Sequence, residues 1–117
     1  MATFSKQLLS GSTNGKGIKV AATATTGTTI HQAVAGTTSY DEVWIYCVNT
    51  STSEVKLTIE YGGTTDPDDL IEFTVAPEDG LKCIVPGLVL QNSLTITAFA
   101  DTANVLIVHG FVNRIED

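Results

Sequence analysis

Short apolar segments separated by turn-forming residues recur along the chain at a spacing of about ten residues, which is typical of all-β proteins. The chain contains eighteen threonines and no long run of helix-forming residues, and threonine fits a pleated strand better than a helix. These features predict an antiparallel sandwich or barrel, and we expect a jelly-roll-like β-sandwich with about eight strands. The predicted strands are 18–23, 29–35, 41–49, 54–61, 70–76, 81–85, 94–100 and 104–112.

The pattern inside individual segments supports this assignment. In segment 54–61 the odd positions are apolar and the even positions are polar, which predicts one buried face and one solvent-exposed face. Asn14 and Gly15 tolerate the positive φ angles that a tight turn requires. Segment 29–35 is ambiguous, because its apolar residues would also suit a single helical turn.

The length of 117 residues is that of one domain with a modest core. We expect an extended N-terminal arm over residues 1–16, with Phe4, Leu8 and Leu9 as possible anchors, and a single β-sandwich domain over residues 17–117. The arm contains no apolar run of signal-peptide length, and no segment reaches the roughly 20 apolar residues of a membrane-spanning helix. We therefore expect a protein that is soluble, made in a cytoplasm and not bound to membranes.

Two predicted strands are apolar on both faces, at 43–48 and from 105 to 112. A sheet in a two-layer sandwich has only one face toward the core, so the second face of these strands must be covered by something else. The candidates are the N-terminal arm, a second subunit or another partner, and a homo-oligomer is the leading expectation. The predicted interface residues are Leu8, Leu9, Trp44, Tyr46, Val48, Leu106 and Val108.

The charge of the chain excludes a nonspecific nucleic-acid binder. Thirteen acidic residues against six basic ones give a net charge of −7, and the scattered Lys and Arg cannot form a phosphate-neutralising stripe. The segment 11–17 superficially resembles a phosphate loop, but it has the wrong spacing and precedes a strand rather than a helix. We expect no nucleotide and no other cofactor.

Metal binding and catalysis have only weak candidates. Asp66, Asp68 and Asp69 could supply some oxygen ligands to calcium, although a solvated acidic turn is the simpler interpretation. The histidines His31 and His109 would need a third ligand from elsewhere in the fold to hold zinc. The chain has no nucleophile-elbow motif, and although composition alone never excludes a Ser-His-Asp triad, we expect no enzymatic activity.

The two cysteines and the aromatic residues have structural interpretations. Cys47 and Cys83 are expected to be buried free thiols, and a disulfide would require their strands to be neighbours. Trp44 and Tyr46 lie two residues apart on one face and could stack on a sugar, as in a small carbohydrate-binding module. Their place within an apolar run favours a core or interface role instead.

Three stretches of the sequence, residues 7–20, 62–69 and 105–115, resemble small virion proteins of tailed bacteriophages, of the capsid decoration (cement) type. The similarity extends over nearly the whole chain. It implies a small β-sandwich, often a trimer, that sits on the capsid exterior where subunits of the major capsid protein meet. It implies no catalytic residues, and it would make residues 8–20 a capsid-contacting arm.

The leading expectation is therefore a structural virion protein that binds the outer shell of a phage head as a homo-oligomer and stabilises it. A tail, collar or head-fibre component with the same fold is the alternative within virions. A carbohydrate-binding module is the alternative from a different class.

Overall fold

The computed structural model describes residues 2–117, and within that range the chain forms nine β-strands and no helix. The all-β prediction is confirmed. The strands are β1 (Thr3–Leu8), β2 (Ile18–Lys19), β3 (Thr28–Gln32), β4 (Tyr40–Asn49), β5 (Val55–Tyr61), β6 (Leu70–Val75), β7 (Lys82–Leu90), β8 (Thr95–Ala100) and β9 (Leu106–Glu116).

The strands form two sheets with exclusively antiparallel pairing. The five-stranded sheet has the order β1-β9-β4-β7, and the short strand β2 also pairs with β9. The four-stranded sheet has the order β3-β8-β5-β6. Neighbours in space are thus mostly distant in sequence, so the fold depends on non-local pairing.

One hydrophobic core contains inward-facing side chains from both sheets. The five-stranded sheet contributes alternate residues of its central strands, and the four-stranded sheet does the same from β5 and β8. Typical members are Val43, Ile45, Val108, Ile59 and Ile96, all with no exposed surface. The arrangement is that of a two-layer sandwich with a single core.

Strand β1 was not predicted. It lies in the segment expected to be an N-terminal arm and pairs in register with the C-terminal half of β9. The inward positions of β1 include the polar, half-buried Ser5 and Gln7, so this strand adds backbone pairing without adding apolar core. The core begins at Leu9, which is buried.

The pairing of β1 also decides how the N-terminal segment meets the sheet. The segment widens the five-stranded sheet at its edge, so β1 does not cover the outer face of that sheet as one alternative proposed. The domain boundary between residues 16 and 17 stays a prediction.

Strands β2 and β7 differ most in length from the prediction. Strand β2 pairs over only two residues. Strand β7 continues through Pro86 and Gly87 to Leu90, beyond the predicted end at residue 85. A proline is tolerated there because β7 is an edge strand, and its register shifts twice against β4.

Two local expectations have clear outcomes. Asn14 and Gly15 both adopt positive φ angles, as predicted for the turn. Segment 29–35 starts as a strand, β3, that ends at Gln32, and no part of it is helical. The part of the chain that the structure describes contains no helix that could span a membrane.

The predicted solvent-exposed face of β5 is not solvent-exposed along its whole length. Thr58 and Glu60 are both 1% exposed, so the expectation is wrong for these two residues. The segment before β3 lies over this face, where the Thr25 hydroxyl and the Gly27 amide bond the Glu60 carboxylate. Alternation along β5 indicates which side chains share a face, but it does not reveal a distant segment that covers them.

Candidate functional site

The two strands with apolar residues on both faces, β4 and β9, are neighbours at the centre of the five-stranded sheet. Their outward residues pair side by side, with Trp44 opposite Phe111 and Val48 opposite Ile107. Strand β1 extends this surface and places Leu8 opposite Phe111. We call the resulting surface the outer apolar face; it consists of Phe4, Leu8, Trp44, Tyr46, Val48, Ile107 and Phe111.

The centre of the outer apolar face is a pair of stacked aromatic rings. The ring centroids of Trp44 and Phe111 are 6.3 Å apart and the rings are inclined by 14°. The Lys6 ammonium lies 4.6 Å from the centroid of the Phe111 ring, within the range of a cation–π interaction. Gly87 lies close to the Trp44 ring, since a Cβ atom at this position would be 3.0 Å from Cζ2. These contacts hold the rings in one orientation.

A polar contact fixes the edge of the Trp44 ring. Its Nε1–H donates to Glu42 Oε1 at 2.8 Å, and the Asn113 side-chain amide donates to the same oxygen at 2.9 Å. These two hydrogen bonds hold the pKa of Glu42 below its ordinary value. The carboxylate is therefore ionised at neutral pH, and the aromatic pair is set in place before any partner binds.

The rim of the outer apolar face is more exposed than its centre. Phe4 is 76% exposed and Leu8 is 56% exposed, whereas Trp44, Tyr46 and Phe111 are half-buried. On the far side, Val89 of the edge strand β7 is 58% exposed. Exposed apolar side chains grouped on one face of a small protein are typical of an interaction site; here Lys6, Glu42, His109 and Asn113 share the face with them.

The predicted interface residues divide between this face and the core. Trp44, Tyr46, Val48 and Leu8 point outward and belong to the outer apolar face. Leu9, Leu106 and Val108 point inward, and each has at most 1% of its surface exposed. A partner cannot contact these three side chains, because the sandwich itself buries them; the interface stays a prediction for the outward residues.

The acidic turn with Asp66, Asp68 and Asp69 does not form a metal site. No group of three or more His, Cys, Asp or Glu side chains in the range 2–117 has the geometry to hold a metal ion. Instead, Asp69 Oδ2 accepts a hydrogen bond from the Thr65 amide at 3.0 Å, which stabilises the turn.

The two histidines lie in different sheets of the sandwich. His31 is buried in β3 of the four-stranded sheet, and His109 is half-buried on the outward side of β9.

Both cysteines are free thiols. Cys47 is buried, which raises its pKa to about 12, but Cys83 is exposed, so its predicted burial is wrong. The two lie on neighbouring strands, and Cys83 belongs to an edge strand.

His31 belongs to a buried polar network that joins the two sheets. Its Nδ1 accepts a hydrogen bond from the Ser10 amide at 2.9 Å, so Nε2 carries the proton and donates to Asp41 at 2.7 Å. The Arg114 guanidinium donates to both oxygens of Asp41 at 2.8 and 3.1 Å. Burial alone would raise the pKa of Asp41, but the hydrogen bonds from Arg114 and His31 and the charge of Arg114 lower it.

This network has the geometry of a structural anchor. Both ring nitrogens of His31 are occupied, and the ring is 1% exposed. Ser10 contacts the ring through its backbone amide, while its hydroxyl accepts a hydrogen bond from the Gln32 amide. The arrangement differs from a Ser-His-Asp triad, in which the serine hydroxyl meets the histidine.

Sequence reasoning did not place Phe4, Ile107 and Phe111 on the outer apolar face, nor Lys6 beside it. The position of Phe111 could have been predicted, because Phe111 is an even number of residues from Ile107 and therefore shares the outward side of β9. The positions of Phe4 and Lys6 could not have been predicted, because both residues reach this face only through the pairing of β1 with β9.

Comparison of the chain with protein-family models, with curated proteins and with solved structures gives no match in any of the three.

Proposed function

We propose that this protein is a structural virion protein of the capsid decoration type, which binds the exterior of a phage head as a homo-oligomer, a trimer by resemblance, and stabilises the shell. The outer apolar face is the observation that carries this proposal. A partner that covers Phe4 and Leu8 would remove their apolar surface from water, which favours association by about 25 cal/mol for each Å² buried.

The strand order is consistent with the proposal at the level of architecture. If β1 and β2 count as one interrupted strand, since both pair with β9, the eight strands follow the orders 1-8-3-6 and 2-7-4-5. We assign this order to the jelly roll, an architecture found in viral capsid proteins and in lectins. This is support by analogy, because a shared fold does not determine function.

The charge balance favours the exterior of a capsid over its interior. A net charge of −7 repels packaged DNA and keeps particles apart in solution. A decoration protein need not bind each subunit tightly, because the linked contacts of an oligomer raise one another's effective concentration.

Capsids that lack the protein provide the direct test. Purified protein is added to them, and the particles are imaged by electron cryomicroscopy. We expect density at regular positions on the outer shell. Capsids without added density at a saturating protein concentration would contradict the proposal.

The variant Leu8→Asp tests whether the outer apolar face makes the contact. Leu81→Asp is the matched control, because Leu81 is also 56% exposed but lies just before β7, the opposite edge of the same sheet. We expect at least tenfold weaker capsid binding for Leu8→Asp and unchanged binding for Leu81→Asp. Equal binding by both variants would exclude this face.

The same capsid images distinguish a capsid decoration protein from the alternative within virions, a tail, collar or head-fibre component. A tail, collar or head-fibre component would bind at one vertex or along the tail rather than over the whole shell. Gold-labelled protein on intact virions distinguishes these positions.

A further inference from the structure

The outer face of the four-stranded sheet carries a groove that is lined mainly by threonine and serine residues. The groove has a volume of about 440 Å³, within the range of small-ligand sites. The turn Gly62–Gly63 borders it, and Leu94 adds an apolar patch. Its hydroxyl-bearing residues are Thr26, Thr29, Thr64, Ser93, Thr95 and Thr97.

A buried carboxylate adjoins this groove. Glu60 is 1% exposed and pairs across the sheet with Thr97. Its oxygens accept hydrogen bonds from the Thr25 hydroxyl, from the Gly27 amide at 2.8 Å and from the Thr97 hydroxyl at 2.5 Å. Burial would raise the pKa of Glu60, but these three bonds lower it.

Glu60 has no cationic partner among residues 2–117, although buried charges in proteins are usually paired. Its three hydrogen bonds come from neutral groups, and two of these donors are hydroxyls at or beside the groove. The carboxylate therefore fixes the orientation of one groove hydroxyl, that of Thr97.

The orientation of the hydroxyls follows from their chemistry. A threonine hydroxyl has one proton and two lone pairs. Since Thr97 donates its proton to Glu60, its oxygen has only lone pairs to offer a ligand. The same holds for Thr25, next to the groove residue Thr26. Thr97 is 6% exposed, so at this point the groove offers a hydrogen-bond acceptor to a ligand that brings a donor.

The other features narrow the class of ligand. An anion is disfavoured by the net charge of −7 and by the ionised Glu60. A metal ion would need to contact the carboxylate, but that group is buried and its oxygens are directed toward Thr25, Gly27 and Thr97. A neutral sugar brings several hydroxyl donors and a C–H face that can lie on Leu94.

We propose that this groove is a binding site for a neutral saccharide unit, held by the hydroxyls of its lining residues, of which Thr97 is oriented by Glu60. The site is on the sheet opposite the outer apolar face, so it is independent of the proposed capsid contact. It also differs from the predicted sugar platform of Trp44 and Tyr46, which belong to the outer apolar face. A virion protein with such a site would bind glycans as well as the shell.

Chemical-shift mapping tests the proposal on the full chain. The ¹⁵N-labelled protein is titrated separately with D-glucose, D-galactose, D-mannose and N-acetyl-D-glucosamine. We expect at least one sugar to shift the amide signals of residues 26–29, 62–64 and 93–97, with a dissociation constant on the order of millimolar. The absence of shifts with all four sugars, or shifts centred on Trp44 and Tyr46, would overturn the proposal.

A double variant tests the hydroxyls without removing a partner of Glu60. Thr29→Val with Thr95→Val keeps the side-chain shape, and the loss of two hydrogen bonds is expected to weaken binding by about tenfold or more. Thr74→Val is the matched control, because Thr74 is an exposed β6 residue of the same sheet outside the groove. Wild-type affinity in the double variant, with its amide spectrum still folded, would also overturn the proposal.

Discussion

The outer face of the five-stranded sheet is apolar and largely open, whereas the outer face of the four-stranded sheet is polar and partly covered by the chain itself. Trp44 and Phe111 stack on the first face, and exposed Phe4 and Leu8 extend it. On the second face, Thr25 and the Gly27 amide bond the buried Glu60.

In this sandwich, the residues that stabilise the single chain and the residues that are open to a partner lie on different outer faces. The polar face contributes to the stability of the single chain, because its buried hydrogen bonds form within one protomer. A partner that covered the apolar face would add stabilisation that the single chain lacks. Substitutions on the two faces should therefore change different measurements.

The largest expected effect is on the polar face. Glu60→Gln replaces an acceptor of three hydrogen bonds with an amide whose NH2 group faces donors, and we expect a loss of about 2–3 kcal/mol in the free energy of unfolding. Glu72→Gln is the control, since Glu72 is exposed and only makes a surface ion pair with Lys56; we expect a change below about 0.5 kcal/mol. Urea denaturation measures both, and equal losses would show that the burial of Glu60 has no energetic consequence.

The pH dependence of stability sharpens the same contrast. The pKa values of Asp41 and Glu60 are lowered in the folded state, so both groups stabilise the fold above their unfolded pKa values of about 3.9 and 4.3. This stabilisation is lost as the pH falls through the folded values. We expect urea midpoints that are level from pH 7 to about pH 5 and fall below about pH 4.

The Glu60→Gln variant isolates one of the two groups in that titration. Its stability deficit relative to wild type should shrink as the pH falls from about 5 to about 3, because the wild-type carboxylate becomes neutral. A deficit that is independent of pH would contradict the ionised state of Glu60.

An intermediate effect is expected at the support of the apolar face. Gly87→Ala places a methyl group 3.0 Å from the Trp44 ring at a φ of +81°, and we expect a loss of about 1–2 kcal/mol together with a changed Trp44 fluorescence spectrum. Gly36→Ala has almost the same φ, +82°, with no atom within 4 Å of the added Cβ. It should show the backbone strain alone, and an identical Trp44 spectrum in both variants would mean that Gly87 does not position the ring.

The smallest effect on stability is expected at the rim. Leu8 is exposed in the protomer, so Leu8→Asp should change the unfolding free energy of the monomer by less than about 0.5 kcal/mol. Denaturation at low protein concentration, where the monomer dominates, measures this. A much larger loss of unfolding free energy would show that Leu8 stabilises the single chain.

The sequence predicted the class of fold and the strands that carry the apolar face. Alternation located β5 and β8, and the two-sided apolar pattern of β4 and β9 correctly singled out the strands that turn out to be central neighbours. The sequence indicated only in part which residues of β4 and β9 point toward the core. Leu106 and Val108 share one side of β9, but a continuous apolar run does not reveal which side faces the core.

The remaining errors have a common physical origin in long-range contacts. The polar, glycine-containing start of the chain gives no sign that β1 will pair with β9, because the partner lies about a hundred residues away. Pro86 ends a strand in most contexts, and only the edge position of β7 makes it acceptable. The burial of Glu60 depends on a loop that is 33 positions away in sequence.

The most direct test of the central claim is the mass of the protein in solution, measured by light scattering after size exclusion, for wild type and for Leu8→Asp. The account predicts a wild-type oligomer, with three times the 12.4 kDa chain mass for a trimer, and a shift of Leu8→Asp toward 12.4 kDa. A wild-type protein that remains at 12.4 kDa at micromolar concentration, or an oligomer that Leu8→Asp leaves unchanged, would contradict it.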